Sequence, residues 1–67
     1  MAKIQLNGKK VTIKSKSTIM DLLIEYNLEN KKIAIEHNGT IIPKLKYKNK
    51  HLKNNDRLEI VHFIGGG

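Results

Sequence analysis

The sequence predicts an α+β fold in which a mixed five-stranded sheet carries one helix across one face. Three observations lead there. Alternating polar and apolar residues recur in short runs bounded by turn residues, one stretch has helical spacing behind a capping sequence, and 67 residues leave room for a single core. The predicted element order is β-β-α-β-β-β. Periodicity leaves open which strands are neighbours, although a last strand beside the first would bring the C-terminus out from the middle of the sheet.

Lys3-Ile4-Gln5-Leu6 and Lys10-Val11-Thr12-Ile13-Lys14 alternate on either side of Asn7-Gly8, a strong hairpin signal. Thr18-Ile19-Met20-Asp21 fits the capping pattern that starts a helix. Ile19, Leu22, Leu23 and Tyr26 then make one apolar stripe of a helix expected to end near Asn27. Ile33–His37 reads as a strand, Asn38-Gly39 as a turn, and Thr40–Ile42 as a short strand stopped by Pro43. Residues 44–55 are polar and irregular and read as a long connection anchored by Leu45, Tyr47 and Leu52, with Asn55 a candidate for a left-handed turn. Arg57–Phe63 is the last strand.

Composition removes whole classes of function. A chain of this size buries about 60% of the surface its unfolded form exposes, so a cleft able to surround a substrate would have to be cut out of its own small core. We therefore expect no enzyme and no catalytic residue. Cysteine is absent, which excludes disulfides, thiolate metal sites and thiol catalysis. No apolar run approaches the ~20 residues of a membrane span, and no apolar secretion signal opens the chain. A soluble, cytoplasmic protein, monomeric when free, is the expectation. The net charge of +7 raises nucleic acid, anionic membrane or acidic protein as partners. Lys, Ile and Asn supply 29 of the 67 residues, however, a bias expected of a gene rich in A and T, so part of this charge is compositional.

The most specific feature is the terminal Gly65-Gly66-Gly67. Without Cβ atoms, such a tail lies extended in a channel too narrow for other residues and delivers its carboxylate into another protein's active site; terminal glycines are also common in frayed ends. We divide the chain into a domain over residues 1–63 and a flexible glycine tail over 64–67. In the last strand, alternation sends Leu58 and Ile60 to the helix and Glu59, Val61 and Phe63 to solvent. Exposed apolar groups beside the tail make Val61, Phe63 and Ile64 the candidate docking residues.

Gln5-Leu6-Asn7-Gly8, Thr18–Leu23, Asn38-Gly39 with Ile41-Ile42-Pro43, and above all Asp56–Gly67 resemble the ubiquitin-like sulfur carriers of β-grasp fold, most closely the ThiS family of thiamine thiazole synthesis. The likeness spans nearly the whole chain. It implies that an E1-like, ThiF-type enzyme adenylates the Gly67 carboxylate with ATP and magnesium while Gly65 and Gly66 thread its channel. A sulfur donor such as a cysteine desulfurase persulfide then converts the adenylate into a thiocarboxylate, and a ThiG-type thiazole synthase accepts the sulfur. The carrier is a co-substrate in that scheme and binds no cofactor of its own. The sequence departs from its relatives in its strong positive charge and in Asn55, which stands where Gly is common in an N/D-G-D turn.

Two other readings stay open beside it: a MoaD-like carrier of molybdopterin synthesis, and a small basic RNA- or nucleotide-binding β-grasp module similar to TGS domains. Lysines alternate from Lys44 to Lys50, so an extended segment would show them as one stripe to phosphates or an acidic partner; the favoured reading is solubility, since lysines on an exposed edge prevent sheet-to-sheet aggregation, and with three aromatics in the chain a nucleic-acid partner is not the expectation. His37, His51 and His62 have no metal-ligand spacing, so no metal is expected. Asp21, Glu25 and Glu29 recur every four residues as an acidic helix stripe.

Overall fold

The computed structural model describes residues 1–63. Its elements are β1 (Ala2–Leu6), β2 (Lys9–Ile13), α1 (Ile19–Glu25), β3 (Ile33–His37), β4 (Thr40–Ile41) and β5 (Arg57–His62), with a 3₁₀ turn at Lys44–Lys46. The sheet order is β2-β1-β5-β3-β4. β5 runs parallel to β1 and antiparallel to β3, so the last strand lies in the centre of a mixed sheet.

Both hairpins turn on Asn-Gly pairs with positive φ: Asn7 at 48° and Gly8 at 83°, Asn38 at 51° and Gly39 at 87°. These values suit the type I′ turn, whose twist matches that of paired strands. Inward alternation from the sheet (Ala2, Ile4, Ile13, Ile35, Leu58, Ile60) meets Ile19, Leu22 and Leu23 of α1 in one buried core.

The helix is short but closed at both ends. Thr18 Oγ1 accepts from the Asp21 N–H at 3.1 Å, and Asp21 Oδ2 accepts from the Thr18 N–H at 2.9 Å, completing a capping box. These hydrogen bonds to Thr18, backbone first, hold the Asp21 carboxyl below its ordinary pKa. At the other end Asn27 takes φ 59°; its N–H donates to Ile24 O at 3.1 Å and that of Leu28 to Leu23 O at 2.7 Å, a Schellman closure.

That closure corrects two expectations. The helix ends at Glu25, so Tyr26 is an exposed cap and Leu28 packs on the core in its place. Glu29 lies beyond the helix and belongs to no helical acidic stripe.

Residues 44–55 also differ from the reading. The 3₁₀ turn and the turn after it give Lys44–Lys50 no extended backbone, so no single lysine stripe forms. Tyr47 and Leu52 are buried, but Leu45 is 90% exposed and anchors nothing. The segment is held by the helix start: Ile19 N–H donates to Lys50 O at 2.9 Å and Met20 N–H to Tyr47 O at 3.0 Å. Helix N–H groups without intrahelical partners thus find them in this connection.

Candidate functional site

β5 is the element that carries the chain toward its C-terminus, and its position is fixed from both sides. Five residue pairs join it to β3, from Ile33 with His62 to His37 with Leu58. On the other side Gln5 and Leu6 of β1 pair with Arg57 and Leu58. Beyond the end of β1, Asn7 takes over: its Oδ1 accepts from the Ile60 N–H at 2.7 Å and its own N–H donates to Leu58 O at 2.9 Å.

The alternation along β5 holds from Leu58 to Val61 and stops there: His62, the partner of Ile33, is exposed, and Phe63, past the strand end, lines a cleft with Leu23, Leu28 and Tyr47 where the expectation placed it on the face of Val61. Leu58 and Ile60 are buried, whereas Glu59 is exposed, Val61 is 58% exposed and Phe63 60% exposed. Strand geometry ends at His62, one residue earlier than expected, although the Phe63 N–H still donates to Lys32 O at 3.0 Å. Ile64, Gly65, Gly66 and Gly67, assigned to docking, threading and modification, lie outside the described residues, as does the tail over 64–67.

The start of β5 is locked by a buried polar knot that sequence reasoning missed. Asp56 Oδ2 lies 2.9 Å from His37 Nε2 and accepts from the Lys53 N–H at 2.9 Å, while Oδ1 accepts from Asn38 Nδ2 at 3.1 Å. The His37 and Asp56 side chains are 9% and 4% exposed. Burial alone pushes the Asp56 carboxyl up, but the hydrogen bonds from His37, Asn38 and Lys53 together with the His37 charge outweigh it, and its pKa falls below the ordinary value. Asn55 has the left-handed conformation expected of it, with φ 71°.

A second feature without a sequence signal is a cleft of about 670 Å³ between the end of the helix and the end of β5. Leu23, Leu28, Ile33, Tyr47 and Phe63 line it, with Lys31, Lys32 and Lys44 beside them. Glu29 also contributes, and its Oε2 is buried without a hydrogen-bond partner. Residues far apart in the chain make this cleft, so no local pattern announces it.

Among the described residues no three His, Asp or Glu side chains converge as a metal site, and no helix is long and apolar enough to cross a membrane. His51 sits in an isolated bridge with Thr18, and His62 is exposed at the end of β5.

Comparison with known proteins bears on the whole of this architecture. Residues 4–67 match the model of the ThiS family. The chain is 51% identical over 65 residues to the sulfur carrier protein ThiS of Bacillus subtilis, covering 96% of this chain and 98% of that protein. It is 38% identical to part of a thiazole synthase from Paramagnetospirillum magneticum, covering 97% of this chain but 20% of that protein. In fold it superposes on the crystal structure of the thiamine biosynthesis protein ThiS from Geobacter metallireducens with a TM-score of 0.83 at 24% identity, over 97% of this chain and 99% of that one. A central β5 in a β-grasp sheet and a family match that runs through the terminal glycines lead to one conclusion: the chain belongs to the ThiS family.

Proposed function

We propose that this chain is a sulfur carrier for thiazole formation in thiamine biosynthesis, with the Gly67 carboxylate as its reactive group. The family match over residues 4–67, which includes the terminal glycines, carries the reading. The fold adds support: β5, the last strand, lies between β1 and β3 and is paired with both.

The chemistry needs no catalytic group on the carrier. A carboxylate is a poor electrophile, so an E1-like adenylating enzyme of ThiF type joins it to the α-phosphate of ATP, with magnesium, and pyrophosphate leaves. The terminal sulfur of a persulfide, supplied by a donor such as a cysteine desulfurase, attacks the acyl carbon and AMP departs. A thiol then cleaves the S–S bond, giving a disulfide and a thiocarboxylate on Gly67. The acceptor is a ThiG-type thiazole synthase: the sulfur passes to a carbonyl carbon of its substrate as the Gly67 C–S bond breaks, and an oxygen from that carbonyl or from water bonds to the acyl carbon, restoring the carboxylate. Gly65 and Gly66 thread the partner channel, and Val61, Phe63 and Ile64 dock outside it. The carrier works as a cytoplasmic co-substrate, and its lack of cysteine keeps its own side chains out of the sulfur exchange.

Intact-mass measurement after incubation with the adenylating enzyme, ATP and a persulfide donor tests this. The expected result is a shift equal to exchange of one oxygen for sulfur, abolished when Gly67 is deleted or a residue is appended after it. Absence of both adenylate and thiocarboxylate with a competent cognate enzyme would overturn the reading.

A further inference from the structure

The sheet face opposite the helix segregates its charge. Gln5 is the cross-strand partner of Lys10 on β2 and of Arg57 on β5, so Lys10, Gln5 and Arg57 form one row across three strands. All three are exposed, and Lys3, two residues before Gln5, shares their face. With strands about 4.8 Å apart, Lys10 and Arg57 stand about 10 Å apart with Gln5 between them. The four residues, with Ile4 and Asn55, line a shallow cleft of about 260 Å³. No carboxylate lies within ion-pair distance of these cations among the described residues, where the one ion pair is His37 with Asp56.

The other half of the same face is the reverse. Glu36 pairs directly with Glu59 across β3 and β5, and Ile41 pairs with Glu36 on its far side. Val61 pairs with Ala34 one row on. Like charges placed directly opposite each other disfavour the sheet, so the fold itself gains nothing from this arrangement.

We propose that this face meets a partner protein surface bearing carboxylates opposite Lys3, Lys10 and Arg57, and that this contact sets the orientation in which the carrier docks. The inference rests on the carrier reading and commits to the thiazole synthase as occupant, because a relative carries a sequence like this one within a thiazole synthase chain. RNA fits the face less well. The basic half offers no aromatic for base stacking, and the Glu36–Glu59 row on the same face repels a continuous polyanion. A protein with its own charges segregated satisfies both halves, which is the arrangement that favours one docking orientation.

The test measures binding of the full chain to the cognate thiazole synthase at low and high salt, for the wild type, the Lys10→Glu/Arg57→Glu double variant and a Lys48→Glu control. The double variant should lose affinity at least about tenfold at low salt and show a flatter salt dependence, while Lys48→Glu stays near the wild type. Melting curves check folding, and the milder Lys10→Gln/Arg57→Gln pair replaces the double variant if that chain does not fold. Equal affinity of wild type and double variant, an equal loss in Lys48→Glu, or no wild-type binding overturns the proposal. So does binding of a single-stranded RNA that the same substitutions abolish while synthase binding persists. Thiocarboxylate formation is scored separately: its failure strikes the carrier reading, whereas unchanged affinity in a chain that forms it strikes this proposal alone.

Discussion

Asp56 joins segments that are distant in sequence, since its two oxygens take donors from His37, Asn38 and Lys53. An ionised carboxylate only accepts, so the hydrogen of His37 Nε2 points at it. Replacing Asp56 with Ala leaves these donors unpaired in a buried site and should cost about 3 kcal/mol in urea unfolding. The same group gives an acid limb. Its pKa is depressed in the folded chain, so the stabilisation is complete above the unfolded value near 3.9 and is lost as pH falls through the lower folded value. Unfolding curves across the acid range should show that loss in the wild type and a shallower one in Asp56→Asn. The knot was illegible in sequence because nothing local links residues 37 and 56; the β3–β5 register does. Asn55 was legible, because Asn is the side chain that best tolerates positive φ after Gly. Phe63→Ala should change stability by less than about 1 kcal/mol, as the side chain is largely exposed. Its expected effect is weaker binding to the activating enzyme or the synthase, read by titration calorimetry.

At the scale of elements, α1 is seven residues long, too short to persist without packing and caps. Thr18→Ala breaks the capping box and should lower stability by about 1 kcal/mol, or about 5 °C in a thermal melt. The start of this helix was plain from Thr18-Ile19-Met20-Asp21, but its end was not. Tyr26 continues the apolar period, yet left-handed Asn27 stops the helix first and turns Leu28 inward. The two Asn-Gly hairpins were equally plain, because the turn type demands those residues. Residues 44–55 were not, since no period marks a connection whose contacts are the ends of another element. Leu45 and Tyr47, two positions apart, look alike in sequence; the 3₁₀ turn buries one and exposes the other.

For the molecule as a whole, the central place of β5 makes the last residues of the domain the most heavily shared. Removing residues 57–67 takes away the partner of both β1 and β3 and should leave no cooperative melt. Removing 64–67 leaves every described pairing intact, and that chain should melt as the full one does while forming no thiocarboxylate. Circular dichroism on both truncations checks the contrast. The charge of +7 also changes meaning at this scale. As a sum it suggests a polyanion partner, but on the open sheet face it divides into a basic half and a half holding Glu36 and Glu59.

The amino-acid sequence alone determined the element order, both hairpin turns, the helix start and which face of β5 is apolar, because each depends on residues within a few positions of one another. The tertiary structure decided the rest: β5 between β1 and β3, the Asp56 knot, the cleft beside Phe63 and the charge division across the sheet. Each of these is a meeting of residues whose proximity is created by strand order and register, and neither quantity is written in any local pattern.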